Sequence, residues 1–247
     1  MPEPMRPGNA AAMAALNARL AARGLDLVEP GPIEDEPLPT EPGHPEYHRQ
    51  HRAELALARW ATATPPRYQH ADATHPDVIT WAADVAADPG NARSLLITGT
   101  TGTGKTHQAY GALRRIAASG PQNFQMVAIT TADMYGDLRP TSAAGAAEHR
   151  LRQLCEIPLL LLDDLGSAKA SEWTEEVTYR LINHRYNHCL PTVFTSNLPP
   201  RAERDDQDRP LGPDLIAALG ERIVSRLAEM TTLVPMTGVD RRRTKAA

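Results

Sequence analysis

A glycine-rich loop that follows an apolar run constrains the fold of this chain more than any other feature. The loop consists of Gly99, Thr100, Thr101, Gly102, Thr103, Gly104, Lys105 and Thr106. Glycines permit positive φ angles and let the backbone approach a ligand closely. Successive N–H groups can then point toward an anion at the start of a helix. An apolar run precedes the loop and a helix-forming segment follows it, so this order predicts a nucleotide-binding P-loop of the pattern G-x-x-x-x-G-K-[ST].

The last residues of the loop have side chains that suit a nucleotide and its metal ion. Lys105 is predicted to reach the β- and γ-phosphates of ATP, and the Thr106 hydroxyl is predicted to bind Mg²⁺. His107 opens the following helix and completes the predicted nucleotide-binding set, which begins at Gly99. The alternative is a flexible loop that matches the pattern by chance, and the flanking apolar strand weakens that alternative.

Two carboxylates follow a second apolar run. Residues 159–162 are four leucines, which predicts a strand buried on both faces of a parallel sheet. Asp163 and Asp164 come next, and two carboxylates at the end of a buried strand are costly unless a cation lies nearby. We therefore predict that Asp163 helps to hold Mg²⁺ and that Asp164 orients or activates the attacking water. The alternative for this pair is a cap at the start of a helix.

A further buried strand is predicted over residues 191–197, and it ends in three polar residues, the last of which is Asn197. If this strand neighbours the strand before Asp164, the Asn197 amide lies between that carboxylate and the P-loop. The amide is then placed to hold the γ-phosphate or the water, and a simple turn is the alternative. An earlier buried strand is predicted over residues 123–131.

Composition and charge exclude several classes of protein. The 247 residues carry a net charge of −4, which argues against a broadly basic nucleic-acid coat but permits a local basic patch. Cys155 and Cys189 lack the spacing of a metal or redox site, which favours a reducing compartment. No apolar run reaches the roughly 18 residues that span a membrane, and residues 1–8 do not resemble a secretory signal. We therefore expect a cytoplasmic protein without membrane segments.

The first part of the chain is predicted to be an extension of the P-loop domain. A helix over residues 9–24 either packs on the main domain or docks a partner. Proline and acidic residues over 29–45 predict an extended linker, and a second helix is predicted over 46–62. We therefore divide the chain into a helical, proline- and acid-rich partner-docking extension, residues 1–62, and an ATP-binding domain, residues 63–247.

The sequence predicts which side chains of the second helix are buried and gives two alternatives for the ring of Tyr68. The second helix is expected to bury Leu55, Leu57 and Trp60 on one side. Tyr68 lies on the segment that approaches the P-loop domain. Its ring either contacts the adenine base or packs within the protein.

The C-terminal part contains two short predicted helices, residues 215–219 and 221–230. Arg222 and Arg226 lie one turn apart on the second helix, opposite its apolar residues. The planar guanidinium group suits phosphate better than an ammonium group does, and surface salt bridges are the alternative. Residues 238–245 form a basic tail that either contacts nucleic acid or is solvated.

The order of these signals is a family pattern. The chain resembles the AAA+ ATPases, and within them the DnaC/DnaI helicase-loader and IstB-like group. The P-loop alone is generic. The strand that ends in Thr195, Ser196 and Asn197, together with the Arg-x-x-Ser-Arg-Leu helix, is much more specific. The resemblance covers about residues 62–243, and it rests on residues 99–106, 159–166, 190–198, 219–227 and 238–242.

The resemblance implies a fold and a shared active site. The fold is an α/β three-layer P-loop NTPase of the AAA+ type, with a parallel five-stranded sheet and helices on both faces. The C-terminal helical lid is expected to be absent. ATP would bind between subunits, with Asn197 as the first sensor. Arg226 would be the arginine finger for a neighbour's ATP, and Arg222 would lie beside it.

The resemblance also implies partners. Residues 132–156 match the place where initiators and loaders carry a helical element that touches single-stranded DNA, and the N-terminal region would dock a replicative helicase. We therefore expect a slow ATPase that forms a homo-oligomer on ATP binding and loads a helicase. The alternatives are an IstB-like helper of a transposase, a small-molecule kinase, and a nucleotide-gated binding module without turnover. A kinase needs an arginine-rich lid that the sequence lacks.

Overall fold

The computed structural model describes residues 10–24, 38–139, 145–207, 209–238 and 240. The chain divides into two units, residues 1–48 and residues 49–247, which we describe separately. The first unit contains α1 (Ala10–Ala21) and the start of α2 (Pro45–Ala63). These helices confirm the two helices predicted before the P-loop domain. The predicted proline-rich linker falls largely outside the described residues, as does most of the basic tail.

The second unit consists of a sheet and the helices that cover it. After α2, its elements are a single 3₁₀ turn (Pro66–Tyr68), α3 (Pro76–Ala87), β1 (Ser94–Thr98), α4 (Lys105–Ala118), β2 (Met126–Thr130), α5 (Thr131–Leu138), α6 (Ala146–Glu156), β3 (Leu159–Asp163), α7 (Glu172–Asn187), β4 (Thr192–Ser196), α8 (Leu215–Leu219), α9 (Glu221–Met230) and β5 (Thr231–Pro235). The helices α8 and α9 have the bounds that the sequence predicts. Among the described residues, no helix is long and apolar enough to cross a lipid bilayer.

The five strands form one parallel sheet in the order β2-β3-β4-β1-β5. Strand β1, which leads into the P-loop, pairs with β4 on one side and β5 on the other. Strand β4 pairs with β3 on its other side. The carboxyl ends of β1, β4 and β3 are therefore neighbours at one end of the sheet, and open parallel sheets bind ligands at the carboxyl ends of their strands. This arrangement confirms the predicted α/β fold.

Successive residues of the strands face opposite layers of helices, as the pleat of a strand requires. Leu95 and Ile97 belong to a buried cluster with residues of α2, α3 and α4. Leu96 and Phe194 belong to a second buried cluster with residues of α5 to α9. The sheet thus lies between two helical layers, and its central strands are apolar on both faces.

Strand β2 differs from the prediction of a buried strand over residues 123–131. All five of its residues are half-buried. The reason is its position, because β2 lies at the edge of the sheet and pairs with β3 alone among the strands. An apolar run does not reveal whether a strand will be central or at an edge.

The C-terminal half of α2 belongs to the core of the second unit. Trp60 is only 3% exposed, and its indole Nε1 donates a hydrogen bond to the carbonyl oxygen of Tyr110 at 3.2 Å. Leu55, which we predicted to be buried, is 50% exposed, so that prediction is wrong, and Ala56 is buried instead. The structural division falls after His48 and not after residue 62, because α2 anchors its last turns on α4.

A fully buried arginine, which the sequence analysis missed, connects three elements. The Nη1 of Arg185 donates to the carbonyl oxygens of Leu154, Cys155 and Ile157, at 3.1, 3.2 and 2.8 Å. Its Nη2 donates to the Pro191 carbonyl at 3.0 Å, so α7 is tied to the end of α6 and the start of β4. Burial lowers the pKa of Arg185 to about 10, which leaves it charged at neutral pH.

Candidate nucleotide-binding site

The loop after β1 packs closely against the C-terminal segment of the described chain. Gly99 and Gly102 have φ angles of 144° and 85°. A Cβ atom on Gly99 would clash with the carbonyl oxygen of Met236, and one on Gly102 would clash with the carboxylate of Asp240. Both space and backbone conformation therefore require glycine at these two positions. The Met236 N–H donates to the Thr98 carbonyl at 2.7 Å and holds the segment in place.

Lys105 and Asn197, which are far apart in the sequence, meet at this loop. Lys105 is only 5% exposed. Its Nζ donates to the carbonyl oxygens of Gly99 and Thr100, at 2.8 and 2.9 Å, and to Oδ1 of Asn197 at 2.7 Å. Asn197 itself is exposed at the carboxyl end of β4. The neighbouring positions of β1 and β4 thus bring the two predicted phosphate-binding side chains into contact.

Thr106 and Asp163, the two predicted Mg²⁺ ligands, are also in contact. The Thr106 hydroxyl donates to the carboxylate oxygens of Asp163 at 3.0 and 3.3 Å. The Thr195 hydroxyl donates to the same carboxylate. Hydroxyl and carboxylate oxygens are the ligands that Mg²⁺ prefers. This pair therefore has the chemistry that a magnesium ion requires, at the start of α4 and beside the loop.

Burial dominates the electrostatics of Asp163. Desolvation raises the pKa of Asp163, and the nearby charge of Asp164 raises it further. The hydrogen bonds from Thr195 and Thr106 and the charge of Lys105 act in the opposite direction, without cancelling the rise. The charged carboxylate is thus disfavoured at this position, which a bound cation would relieve.

Asp164 occupies a sharp bend at the end of β3. Its φ angle is 57°, in the left-handed region that aspartate tolerates better than most residues. The backbone N–H of Asp164 donates to the Thr195 hydroxyl at 3.0 Å, and the next N–H, of Leu165, donates to the Thr195 carbonyl at 2.7 Å. These bonds hold the bend against β4 and place the carboxylate beside that of Asp163.

Thr195 contributes to the site, although the sequence did not predict a role for its side chain. Its hydroxyl contacts the Asp163 carboxylate and the Asp164 N–H together, so it fixes both acidic residues. The available signal was a polar residue, threonine, near the carboxyl end of a run that is predicted to be a buried strand. That signal gains meaning only when β3 and β4 are known to be neighbours.

Arg222 and Arg226 do not join these residues within one chain. Both lie on α9, and their guanidinium groups contact Tyr179 of α7. Among the described residues, no hydrogen bond or ion pair connects either arginine with the P-loop, Asp163, Asp164 or Asn197. A single copy of the chain therefore assembles only part of the predicted catalytic set.

His107 contacts the segment that precedes α3, and Tyr68, which belongs to that segment, contacts α4. The Nε2 of His107 accepts a long hydrogen bond of 3.4 Å from the Asp72 N–H, and His107 is exposed. The rings of Tyr68 and Tyr110 are stacked, with centroids 4.8 Å apart. Burial and the charge of Asp163 raise the pKa of Tyr110. Tyr68 thus packs within the protein, and its contact with adenine stays a prediction, as does the role of His107.

The parallel sheet, the glycine-rich loop and the side chains gathered at its edge define a P-loop ATP-binding protein of the AAA+ type. The family described as "IstB-like ATP binding protein" matches residues 82–245. This is most of the chain, and the chain belongs to that family.

Individual relatives are more distant. The replicative helicase loader DnaI of Bacillus subtilis (strain 168) is 25% identical over 114 residues, which are 46% of this chain and 36% of DnaI. The insertion sequence IS5376 putative ATP-binding protein of Geobacillus stearothermophilus is 30% identical over 104 residues, 42% of this chain and 40% of that protein. The chain thus spans less than half the length of these two relatives.

Solved structures support the same fold. The crystal structure of the DnaC helicase loader matches with a TM-score of 0.57 and 26% identity, over 70% of this chain and 100% of that one. The crystal structure of DnaI matches with a TM-score of 0.55 and 22% identity, over 74% of this chain and 100% of that one. The fold of this chain is therefore that of the helicase loaders.

Proposed function

We propose that this chain is an ATP-hydrolysing switch that assembles through shared ATP sites and loads a replicative helicase on single-stranded DNA. The contact between Lys105 Nζ and Asn197 Oδ1 at 2.7 Å, next to the contact between Thr106 and Asp163 at 3.0 Å, carries the proposal. These side chains come from three neighbouring strand ends, and together they suit a triphosphate and a divalent cation.

The residues have distinct roles in the proposed site. Phosphate oxygens of ATP would take the place of carbonyl oxygens as acceptors for the Lys105 ammonium group. Thr106 and Asp163 would hold Mg²⁺, which supplies positive charge beside the phosphates. The Asn197 amide contacts Lys105 and would also contact the γ-phosphate. The nucleotide-binding set would extend from Gly99 to His107.

Hydrolysis would use the second carboxylate of β3. Asp164 would accept a proton from water as the water oxygen bonds to the γ-phosphorus and the bond to the bridging oxygen of ADP breaks. The bend at Asp164, fixed by Thr195, holds that carboxylate beside the metal-binding one. A positioned base of this kind contributes about 10² to 10⁴ in rate.

Among the described residues, neither Arg222 nor Arg226 bonds to the nucleotide site of its own chain, and Arg226 of a second copy would supply an arginine for the γ-phosphate. This proposal is supported by the position of Arg226 on α9, where its contacts are to α7 and not to the loop of its own chain. A finger supplied in trans raises turnover by about 10³ to 10⁵. Isolated copies should therefore hydrolyse ATP slowly.

The identity of the client has two candidates. Similarity to the DnaC and DnaI loaders favours a replicative helicase, with α5 and α6 as the helices that would touch single-stranded DNA. The family match and the relative from an insertion sequence favour a transposase as the client. The chemistry at the ATP site is the same for both, and the N-terminal unit would be the docking part.

The proposal is tested by the rate of ATP hydrolysis at increasing protein concentration, with and without single-stranded DNA. We expect specific activity to rise with concentration and with DNA. Asp164→Asn should bind ATP as the wild type does and lose at least about a hundredfold in hydrolysis. Activity that is independent of concentration would favour a monomeric kinase. Unimpaired nucleotide binding without measurable turnover would favour a binding module.

A further inference from the structure

Two arginines of α9 share one aromatic ring of α7. The Cζ atoms of Arg222 and Arg226 lie 4.5 and 4.8 Å from the centroid of the Tyr179 ring. The face of an aromatic ring attracts a guanidinium group. The Nε of Arg226 also donates to Oδ1 of Asn183, one turn further along α7, at 2.8 Å. The Tyr186 ring is a more distant neighbour, with its centroid 5.9 Å from the Cζ of Arg226. Two rings and one amide therefore hold two like charges close together on one surface.

Arg222 and Arg226 differ from two other arginines of the same helical layer, which form ion pairs with carboxylates. Arg180 pairs with Glu148 at 2.6 Å, and Arg150 pairs with Asp137 at 3.1 Å. Within the described part of the chain, no ion pair within 4.0 Å involves Arg222 or Arg226. An aromatic face and a neutral amide orient a guanidinium group without neutralising its positive charge. A carboxylate would orient it and cancel the charge.

The support under the two arginines is rigid. Tyr179 and Asn183 are half-buried on α7, a helix that begins with a capping box at Ser171. On the other side of α9, Ile223 and Leu227 are buried in one cluster with residues of α7. The two helices therefore share one buried core, and the contacts with Tyr179 and Asn183 orient the guanidinium groups in a chain without ligand.

We propose that Tyr179 and Asn183 are positioning residues that aim Arg226, with Arg222 beside it, at the triphosphate bound by a second copy of this chain. This inference rests on the proposed function, and it adds two residues of α7 to the arginines of α9 as contributors to the shared site. It follows that the surface formed by Tyr179, Asn183, Arg222 and Arg226 fits an anionic group. Losing the alignment should lower turnover in the neighbour without weakening ATP binding in the same chain.

Asn183→Asp separates this role from a purely structural one. Aspartate keeps the acceptor for Arg226 and makes the bond stronger, because charge-assisted hydrogen bonds are stronger than neutral ones. It also cancels the charge that the neighbour's phosphate needs. We expect an unchanged or higher melting temperature and unchanged ATP affinity. We expect kcat to be lower by about ten- to a hundredfold, because the ion pair would draw the guanidinium group toward α7 and so misplace it relative to the phosphate.

Tyr179→Leu and Tyr179→Phe form a second, matched pair. Leucine removes the ring, and we expect kcat to fall while KM changes little. Phenylalanine keeps the ring face and should restore the wild-type kcat. Asn187→Ala, an exposed asparagine one turn beyond Asn183 on α7, is the control for substitution of this helix and should have no effect.

The same assay distinguishes failure of this inference from failure of the proposed function. If Arg226→Ala loses activity while Asn183→Asp and Tyr179→Leu keep the wild-type kcat, α7 has no positioning role and the shared site stands. If Arg226→Ala is as active as the wild type, the shared site itself is wrong. A fall in kcat for Asn183→Asp without loss of thermal stability supports both proposals. If Asn183→Asp unfolds, the pair at Tyr179 decides, and an equal kcat for Tyr179→Leu and Tyr179→Phe would contradict the positioning role.

Discussion

At the scale of single residues, Asp163 shows a conflict between stability and binding. Its carboxylate is largely desolvated, and this burial raises its pKa although Thr106 and Thr195 both donate hydrogen bonds to it. A raised pKa means that folding disfavours the charged carboxylate. A cation at the same place would reverse this preference. The charged residue should therefore lower the stability of the nucleotide-free chain, a cost that the proposed metal ion would offset.

Asp163→Asn should stabilise the nucleotide-free protein at neutral pH. An aspartate whose pKa is raised by folding contributes stability below its unfolded pKa, about 3.9, and loses that contribution as the pH rises through the folded pKa. The variant should thus melt at a higher temperature than the wild type at pH 7, and the difference should shrink near pH 4. Thermal unfolding at the two pH values measures this.

Nucleotide provides the control for that measurement. Mg²⁺ and ATP together should raise the melting temperature of the wild type, because a ligand that binds only the folded state stabilises it. The increase should be lost in Asp163→Asn. A variant that melts below the wild type at pH 7 without nucleotide would show that the charge is stabilising, in disagreement with the raised pKa.

The sequence predicts some of these residues and not others, for physical reasons. The pattern of the P-loop predicts the positions of Lys105 and Thr106, and their contacts with Asn197 and Asp163 follow from parallel strand ends. Arg185 was not predictable, because a buried arginine that bonds to carbonyl oxygens leaves no trace in hydrophobic periodicity. Four of its acceptors are backbone carbonyl oxygens, which every residue has, and the fifth is the Thr192 hydroxyl.

At the scale of secondary-structure elements, one glycine sets how closely a connecting segment packs on α4. Gly111 lies within α4, and a Cβ atom there would clash with backbone atoms of Asp72 and Ala73. That segment also donates the N–H groups of Thr74 and His75 to Oε1 of Gln108, at 2.8 and 3.0 Å. The segment and the helix that carries the P-loop lysine are thus fitted to each other.

Gly111→Ala should destabilise the protein although alanine favours helices. In an exposed helical position the same change is worth about 0.5–1 kcal/mol of added stability. At Gly111 the clash with backbone atoms outweighs this gain. Gly136→Ala on α5 is the matched control, because a Cβ atom there would meet nothing within 4 Å. Urea unfolding should therefore give shifts of opposite sign, and two stabilising changes would contradict the close packing.

The sequence predicted the order of helices and strands better than it predicted which of their residues are buried. Each predicted helix and strand in the described ranges occurs in order, because apolar periodicity and capping signals are local properties of the sequence. The half-buried state of β2 and the exposure of Leu55 were missed. Both depend on which element lies alongside, and only the assembled sheet and helices decide that.

At the scale of the whole molecule, the central claim is that one chain holds two halves of two different sites. In this proposal, Lys105, Thr106, Asp163 and Asn197 would form the ATP-binding half at the carboxyl end of the sheet. Arg226, held by α7, would form the other half, and it has no contact with the first among the described residues. The proposed complete site would therefore require a second copy. The resemblance to AAA+ ATPases pointed to this division, and the contacts of α9 support it.

The most direct test of this claim is to mix two impaired variants. Lys105→Ala should fail to bind ATP and still offer Arg226, whereas Arg226→Ala should bind ATP and lack the finger. Lys105→Ala alone should not hydrolyse ATP, and Arg226→Ala alone should keep only the slow rate of isolated copies at every concentration. We predict that the mixture hydrolyses ATP at a rate well above the sum of the separate rates, because mixed interfaces contain one intact site. A mixture that stays at the sum of the two would contradict the shared site.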